Sequence, residues 1–171
     1  WEKRISKWGS RREISLLSET REVLFRSICD WAGFSLTEQE AQKRAQDLET
    51  AFSLRVDSEH SILAMRALRA RLARLRGEAW ARRLVREVRA GRKRAPFGSA
   101  LHLLAYHRDG KGKLLDERSA AIELLNLLRP SVTLSYLVTF AGLALHKNPP
   151  WREKLRVDHD AHVSEFVHEV R

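Results

Sequence analysis

The sequence is poor in residues that interrupt helices and in residues that build disulfide or metal frameworks. Its 171 residues include one cysteine, 4 prolines and 8 glycines. The single cysteine, Cys29, excludes a disulfide framework and a zinc site of several cysteines, and it agrees with a reducing compartment. We interpret Cys29 as a small buried hydrophobe. Apolar residues recur at helical spacing with little glycine or proline between them, which predicts an all-α fold.

The sequence also lacks an uncharged run long enough to cross a membrane. The longest, Pro130 to Leu145, is shorter than the ~20 residues that a spanning helix requires. The start, Trp-Glu-Lys-Arg, is charged and no apolar stretch follows it, so no signal peptide is predicted. The sequence therefore predicts a cytoplasmic protein without a membrane span. A content of 43% hydrophobic residues suffices for one compact domain over residues 1–171.

Local signals predict where the helices begin and end. Gly33 is expected to end a first helix that starts near Arg12. Thr37 and Glu40 form a capping-box pattern, and Asp116 is expected to cap a long core helix. The segment from Ser61 to Ala90 is predicted to form one long helix or two, with Gly77 as the weak point. Further helices are predicted from about Ser99 to His107, from Asp116 to Lys147, from Pro149, and from Val163 to Arg171.

Aromatic residues are scarce where basic residues are dense. Between Arg66 and Arg94 stand twelve basic residues against Glu78 and Glu87, and this stretch accounts for the net charge of +10. It could bind a nucleic-acid backbone or an anionic surface. Only Trp80 interrupts it, however, and no helix-turn-helix or zinc-finger spacing accompanies it. A solvated arginine face is the favoured interpretation.

Arg129 and Pro130 interrupt the most apolar part of the chain. A buried guanidinium keeps its charge, so we expect Arg129 to be buried opposite an anionic partner. Pro130 lacks a backbone N–H, which predicts a kink and a free carbonyl at Asn126. Asn126, Arg129 and Thr133 share one helical face. Arg129 could form a structural ion pair, or it could bind the carboxylate of an otherwise apolar ligand such as a fatty acid.

Around these residues the sequence resembles the bacterial fatty-acid peroxygenases, a branch of the cytochrome P450 superfamily of haem-thiolate enzymes. The likeness covers nearly the whole chain, and its specific part is the Leu-Arg-Pro stretch ending at Pro130. The segments that carry the likeness are Cys29-Asp30-Trp31-Ala32-Gly33, Gly98-Ser99-Ala100-Leu101-His102, Ala121-Ile122-Glu123-Leu124-Leu125-Asn126-Leu127-Leu128-Arg129-Pro130-Ser131-Val132, Phe140-Ala141-Gly142-Leu143-Ala144-Leu145-His146 and Phe166-Val167-His168-Glu169-Val170-Arg171.

The resemblance implies that the chain is the central helical portion of a mainly-α haem enzyme, and so a single incomplete domain. Arg129 and Pro130 replace the acid and alcohol of ordinary members of the superfamily. Arg129, with Asn126 beside it, is then the binding site for a long-chain fatty acid, whose carboxylate acts as general acid and base on hydrogen peroxide. The implied products are alpha- or beta-hydroxy acids, or a terminal alkene after decarboxylation. Pro130 shapes the space over the haem, and no redox partner is required.

The same resemblance places the haem ligand outside this chain. Glu169 falls at the start of the superfamily's Glu-x-x-Arg motif, whose arginine is expected one residue beyond Arg171. The axial cysteine that holds haem b is expected further on, and Cys29 is not that ligand. Two other functions stay open: a conventional monooxygenase that needs a reductase, and a helical module that binds nucleic acid or an anionic surface through Arg66 to Arg94.

Overall fold

The computed structural model of the protein describes residues 1–10, 13–52 and 60–170. Over these ranges it is helical, and its only strand-like pairing is an isolated bridge between Arg108 and Leu114. The prediction of an all-α fold is confirmed. The nine helices within these ranges are α1 (Glu2–Trp8), α2 (Leu16–Trp31), α3 (Glu38–Phe52), α4 (His60–Arg89), α5 (Ala100–Tyr106), α6 (Glu117–Leu128), α7 (Pro130–Lys147), α8 (Pro149–Val157) and α9 (His159–Val170).

Most of the predicted helix boundaries are confirmed, because short-range chemistry fixes them. The Thr37 hydroxyl accepts from the Glu40 amide at 3.3 Å, while the Glu40 carboxylate accepts from the Thr37 amide at 3.2 Å. The Asp116 carboxylate accepts two amide hydrogen bonds at the start of α6, each at 3.0 Å. The predicted start at Arg12 and the predicted end at Arg171 lie outside the described residues.

The chain divides into two compact units. One consists of Trp1–Leu24 and Thr133–Arg171, and the other of Phe25–Val132. In the first unit the Arg4 guanidinium contacts the carboxylates of Glu19 and Glu22, and α8 packs against α9.

The second unit is built around α4, which packs against α3, α5 and α6. Its core includes the fully buried side chains of Phe25, Val85, Leu101, Leu124 and Leu128. Burial of each such side chain contributes roughly 1.5–3 kcal/mol. The unit therefore has an apolar core of its own.

Gly33 joins α2 to this core. Its φ of +97° favours glycine, and a Cβ there would lie 2.3 Å from the Ser99 hydroxyl oxygen. The Ala32 carbonyl accepts from the Leu101 amide at 2.9 Å, so the end of α2 meets the start of α5. Gly33 ends α2 as predicted.

The two helices α6 and α7 differ in how deeply their apolar side chains are buried. In α6, Ala120, Ala121, Leu124, Leu125 and Leu128 are buried, as expected of a core helix. In α7 several large apolar side chains are 37–53% exposed, among them Leu134 and Phe140. Among the described helices, Glu117–Lys147 is the one long and apolar enough to cross a membrane, a property that core helices of soluble proteins share.

Candidate functional site

Arg129 lies at the break between α6 and α7. Its amide still donates to the Leu125 carbonyl at 3.0 Å, while its own carbonyl accepts from Val132 at 3.1 Å in a tighter turn. Pro130, the first residue of α7, has no N–H to offer the Asn126 carbonyl. The predicted interruption at Arg129-Pro130 is therefore confirmed.

Arg129 is exposed, and the prediction that it is a buried cation was wrong for this chain. Its guanidinium carbon lies 5.1 Å from the centre of the Phe52 ring at the end of α3. Among the described residues no carboxylate comes within ion-pair distance of Arg129. The physical reason is that Arg129 lies on the same exposed helical face as Asn126, where water solvates the guanidinium, so it needs no protein anion.

Arg129 borders a cavity of about 200 Å³ that is open to solvent on one side and lined by residues of α3, α4 and α6, with Phe25 of α2. Most of the wall is apolar, from Leu48 and Phe52 on α3, Ala73 on α4, and Ile122 and Leu125 on α6. Apolar walls with a few polar groups are typical of sites for small organic ligands.

The other charged side chains of this cavity neutralise each other. Buried Asp47 accepts from Arg76 Nη2 at 2.6 Å and from Arg44 Nη1 at 3.2 Å. Arg44 also lies over the Trp80 ring at 5.6 Å, and Arg74 pairs with Glu78 at 3.3 Å.

Arg129 is consequently the one cation of the cavity wall without a carboxylate partner in the described part of the chain. An apolar cavity with one uncompensated positive charge at its edge suits an apolar molecule that carries one negative charge. This geometry is the strongest functional feature of the chain.

Asn126 lines the same cavity one helical turn before Arg129. Its side chain is exposed, and its amide nitrogen lies 3.5 Å from a Glu123 carboxylate oxygen, the limit for a hydrogen bond. The structure thus brings two of the predicted site residues to one wall. Thr133, the third polar residue of the predicted face, is exposed and belongs to the other unit.

Sequence reasoning missed Phe52, Asp47 and Arg44. Phe52 and Arg129 are far apart in sequence, as are Asp47 and Arg76, so no periodicity in one helix connects them. The one local signal was Arg44 placed three residues before Asp47 on α3, a spacing at which side chains meet.

Cys29 is fully buried, which confirms its interpretation as a small core residue. Burial, and secondarily the charge of Asp30, raise the pKa of its thiol. A haem iron needs a thiolate that it can reach, and the Cys29 side chain is enclosed in the core with no exposed surface. The cysteine present therefore does not fit a haem-thiolate centre, and no group of three or more potential metal ligands occurs within the described ranges.

No family model matches the sequence. Solved structures do match its fold. Cytochrome P450SP alpha (CYP152B1), determined with (R)-ibuprofen, is 36% identical, covers 99% of this chain and superposes with a TM-score of 0.85. Cytochrome P450EX alpha (CYP152N1), determined with myristic acid, is also 36% identical over 92% of the chain, with a TM-score of 0.78. This chain resembles a helical part of the CYP152 cytochromes P450.

Ligand-free cytochrome P450 OleT has the same fold at 27% identity, with a TM-score of 0.84 over 99% of the chain. The resemblance expected from the sequence, to fatty-acid peroxygenases among the haem-thiolate enzymes, is confirmed. So is the expectation that the chain has the fold of a helical portion of a P450. The chain spans about 40% of the length of P450SP alpha and 37% of P450EX alpha.

Proposed function

We propose that the protein containing this chain is a hydrogen-peroxide-dependent fatty-acid hydroxylase and decarboxylase, and that Arg129 binds the substrate carboxylate. The observation that carries the proposal is the uncompensated charge of Arg129 beside the apolar cavity. The P450 relatives support it, since two of them were determined with ligands that join a carboxylate to an apolar body, myristic acid and ibuprofen.

Arg129 serves to fix one end of the substrate. Charge-assisted hydrogen bonds from the guanidinium hold both carboxylate oxygens, and the hydrocarbon extends along the apolar wall. Anchoring the carboxylate fixes the positions of the alpha and beta carbons, which are one and two bonds away. Oxidation at those carbons then follows from proximity. Asn126 assists by offering an amide donor on the same face.

The bound carboxylate also serves as the general acid and base. In the free protein no carboxylate of the described residues contacts Arg129, so the substrate brings the proton-transferring group with it. Hydroxylation consumes one hydrogen peroxide and releases one water; decarboxylation consumes one hydrogen peroxide and releases carbon dioxide and two waters. A substrate without a carboxylate lacks both the anchor and the acid–base group.

Pro130 maintains the geometry in which Arg129 faces the cavity. Its missing N–H leaves the Asn126 carbonyl without the usual helical hydrogen bond, so the helix bends beside Arg129 while the backbone of Arg129 stays helical. Haem b supplies the oxidising chemistry when bound. Because Cys29 does not fit as its ligand, we assign the axial cysteine to a part of the protein outside these residues. The same proposal places the protein in the cytoplasm. It requires no redox partner and involves no binding of nucleic acid.

The test uses the full-length protein containing this chain, with its haem content established by absorption spectroscopy. A long-chain fatty acid is mixed with hydrogen peroxide in the absence of any reductase, and products are identified by mass spectrometry. We expect alpha- or beta-hydroxy acids, with or without terminal alkenes. Products that appear only with NADPH and a reductase would instead establish a conventional monooxygenase.

Variants separate the role of Arg129 from general damage. Arg129→Gln is expected to lose fatty-acid oxidation while retaining haem. Arg118→Gln is the matched control, since Arg118 is an exposed arginine on α6 that does not line the cavity. Equal activity in the two variants would contradict the carboxylate-anchor role.

A further inference from the structure

The first half of α4 carries an apolar stripe on its outer surface. Met65, Leu68, Leu72 and Leu75 recur at intervals of three, four and three residues, so they share one face of the helix. Their side chains are 60%, 57%, 46% and 52% exposed. Four large apolar residues in one exposed row require explanation, whereas single exposed ones do not.

The stripe is separate from the face by which α4 joins the core. Ala73, Leu84 and Val88 are buried, and α4 packs against α3, α5 and α6. At about 100° per residue, those buried positions project on roughly the opposite side of the helix from the stripe. Packing within this unit of the chain therefore leaves the stripe uncovered.

Arginines border the stripe on both sides. By the same helical geometry, Arg69 lies along one edge and Arg71 along the other, and both are exposed. The whole of α4 carries nine arginines and two glutamates. The surface around the stripe is therefore strongly positive.

Several other arginines of α4 have structural partners. Arg76 binds Asp47 at 2.6 Å, Arg86 binds Glu117 at 2.8 Å, and Arg89 donates to the Ala105 carbonyl at 2.7 Å. Neither Arg69 nor Arg71 pairs with a carboxylate among the described residues. These two are placed to meet negative charges from outside the chain.

We propose that the first half of α4, residues 64–76, binds the surface of an anionic lipid bilayer. The four apolar side chains enter the boundary between headgroups and acyl chains, and Arg69 and Arg71 bind lipid phosphates at its edges. The surface needs an apolar medium and negative charge side by side. A nucleic acid supplies only the charge, and a second copy of this helix brings arginines against arginines.

The proposal does not depend on Arg129 or on the oxidation of fatty acids. It also gives a role to Arg69 and Arg71, two of the basic residues between Arg66 and Arg94 that the solvated-face interpretation leaves without one. Each arginine at an anionic membrane surface strengthens binding about fivefold, and insertion of a leucine strengthens it about tenfold or more.

The experiment measures sedimentation of the full-length protein with vesicles of phosphatidylcholine, with and without phosphatidylglycerol. We expect binding to the anionic vesicles that weakens as salt is added. Leu68→Glu is expected to reduce it at least about tenfold. Leu103→Glu is the matched control, because Leu103 on α5 is 58% exposed against 57% for Leu68, and it should leave binding unchanged.

Charge variants provide an independent test should Leu68→Glu fail to fold. Arg69→Gln and Arg71→Gln are each expected to weaken binding about fivefold, with Arg118→Gln unchanged. Absent binding, equal binding to neutral vesicles, or equal losses in Leu68→Glu and Leu103→Glu would overturn the proposal. Stripe-dependent binding of an acidic amphipathic peptide without any vesicle binding would overturn it too, and would make the partner a protein.

Discussion

Replacing Asp47 with asparagine is expected to destabilise the unit Phe25–Val132 by about 2–3 kcal/mol. Asp47 is 7% exposed; it binds Arg44 within α3, and it connects α3 to α4 through Arg76. Asparagine has nearly the same shape, so the change removes a charge without opening a cavity. The loss therefore reports on electrostatics rather than on packing.

The magnitude follows from the burial of the partners. Removing one member of a buried ion pair costs about 3–5 kcal/mol, because the other charge is left in an apolar environment. The Arg44 side chain is 17% exposed and meets that description, whereas Arg76 is 52% exposed and can turn to water. Because solvent stabilises the charge of Arg76 once Asp47 is removed, we expect a loss of stability of about 2–3 kcal/mol and not the full cost of a buried pair.

Hydrogen exchange followed by mass spectrometry measures this loss directly. Peptides from α3 and from the facing part of α4 should exchange faster in Asp47→Asn, while peptides from α5 change little. Glu117→Gln is the control, since Glu117 also binds an arginine at 2.8 Å but on the exposed surface. Equal effects of the two substitutions would refute the argument from burial.

Three further predictions concern single residues. Because burial raises the pKa of the Cys29 thiol, iodoacetamide at pH 8 should leave Cys29 unmodified in the folded protein and alkylate it in urea; rapid reaction without urea would contradict this. Hydrogen bonds from Ser119 lower the pKa of Asp116, so its capping of α6 is fully present above its ordinary value of 3.8 and is lost as the pH falls below it. The protection of α6 amides from hydrogen exchange should decrease over the same pH range, and Asp116→Asn should remove the part of this decrease that comes from the cap, leaving the part due to Glu117 beside Arg86. Phe52→Leu removes the ring under Arg129 and should raise KM for a fatty acid about two- to fivefold with kcat little changed, whereas Phe97→Leu, at a ring that is 93% exposed, should not.

Helix boundaries could be predicted because the interactions that set them are local. The capping box at Thr37, the cap at Asp116 and the stop at Gly33 each involve residues within a few positions of one another. At Gly77 the sequence left one helix or two open, and the structure has one continuous helix through this residue. The Leu125 side chain lies 3.8 Å from where a Cβ of Gly77 would be, so packing against α6 supports the helix there.

The candidate site could be predicted only in part. The sequence pointed to Arg129 and Pro130 because a cation and a proline are unusual in an apolar helix. It pointed to Asn126 because this polar residue lies on the same helical face as Arg129. The exposure of Arg129, its contact with Phe52 and the Asp47 ion pairs depend on residues that only the folded chain brings together. Helical periodicity places residues on a face but does not specify what that face meets.

The most direct test of the central claim compares how the full-length protein binds myristic acid and the alcohol of the same chain length. Charge-assisted hydrogen bonds from Arg129 should make the acid bind at least about tenfold more tightly than the alcohol. In Arg129→Gln the acid should lose this advantage while the alcohol binds as before. An unchanged preference for the acid in Arg129→Gln would contradict the claim that Arg129 binds the substrate carboxylate.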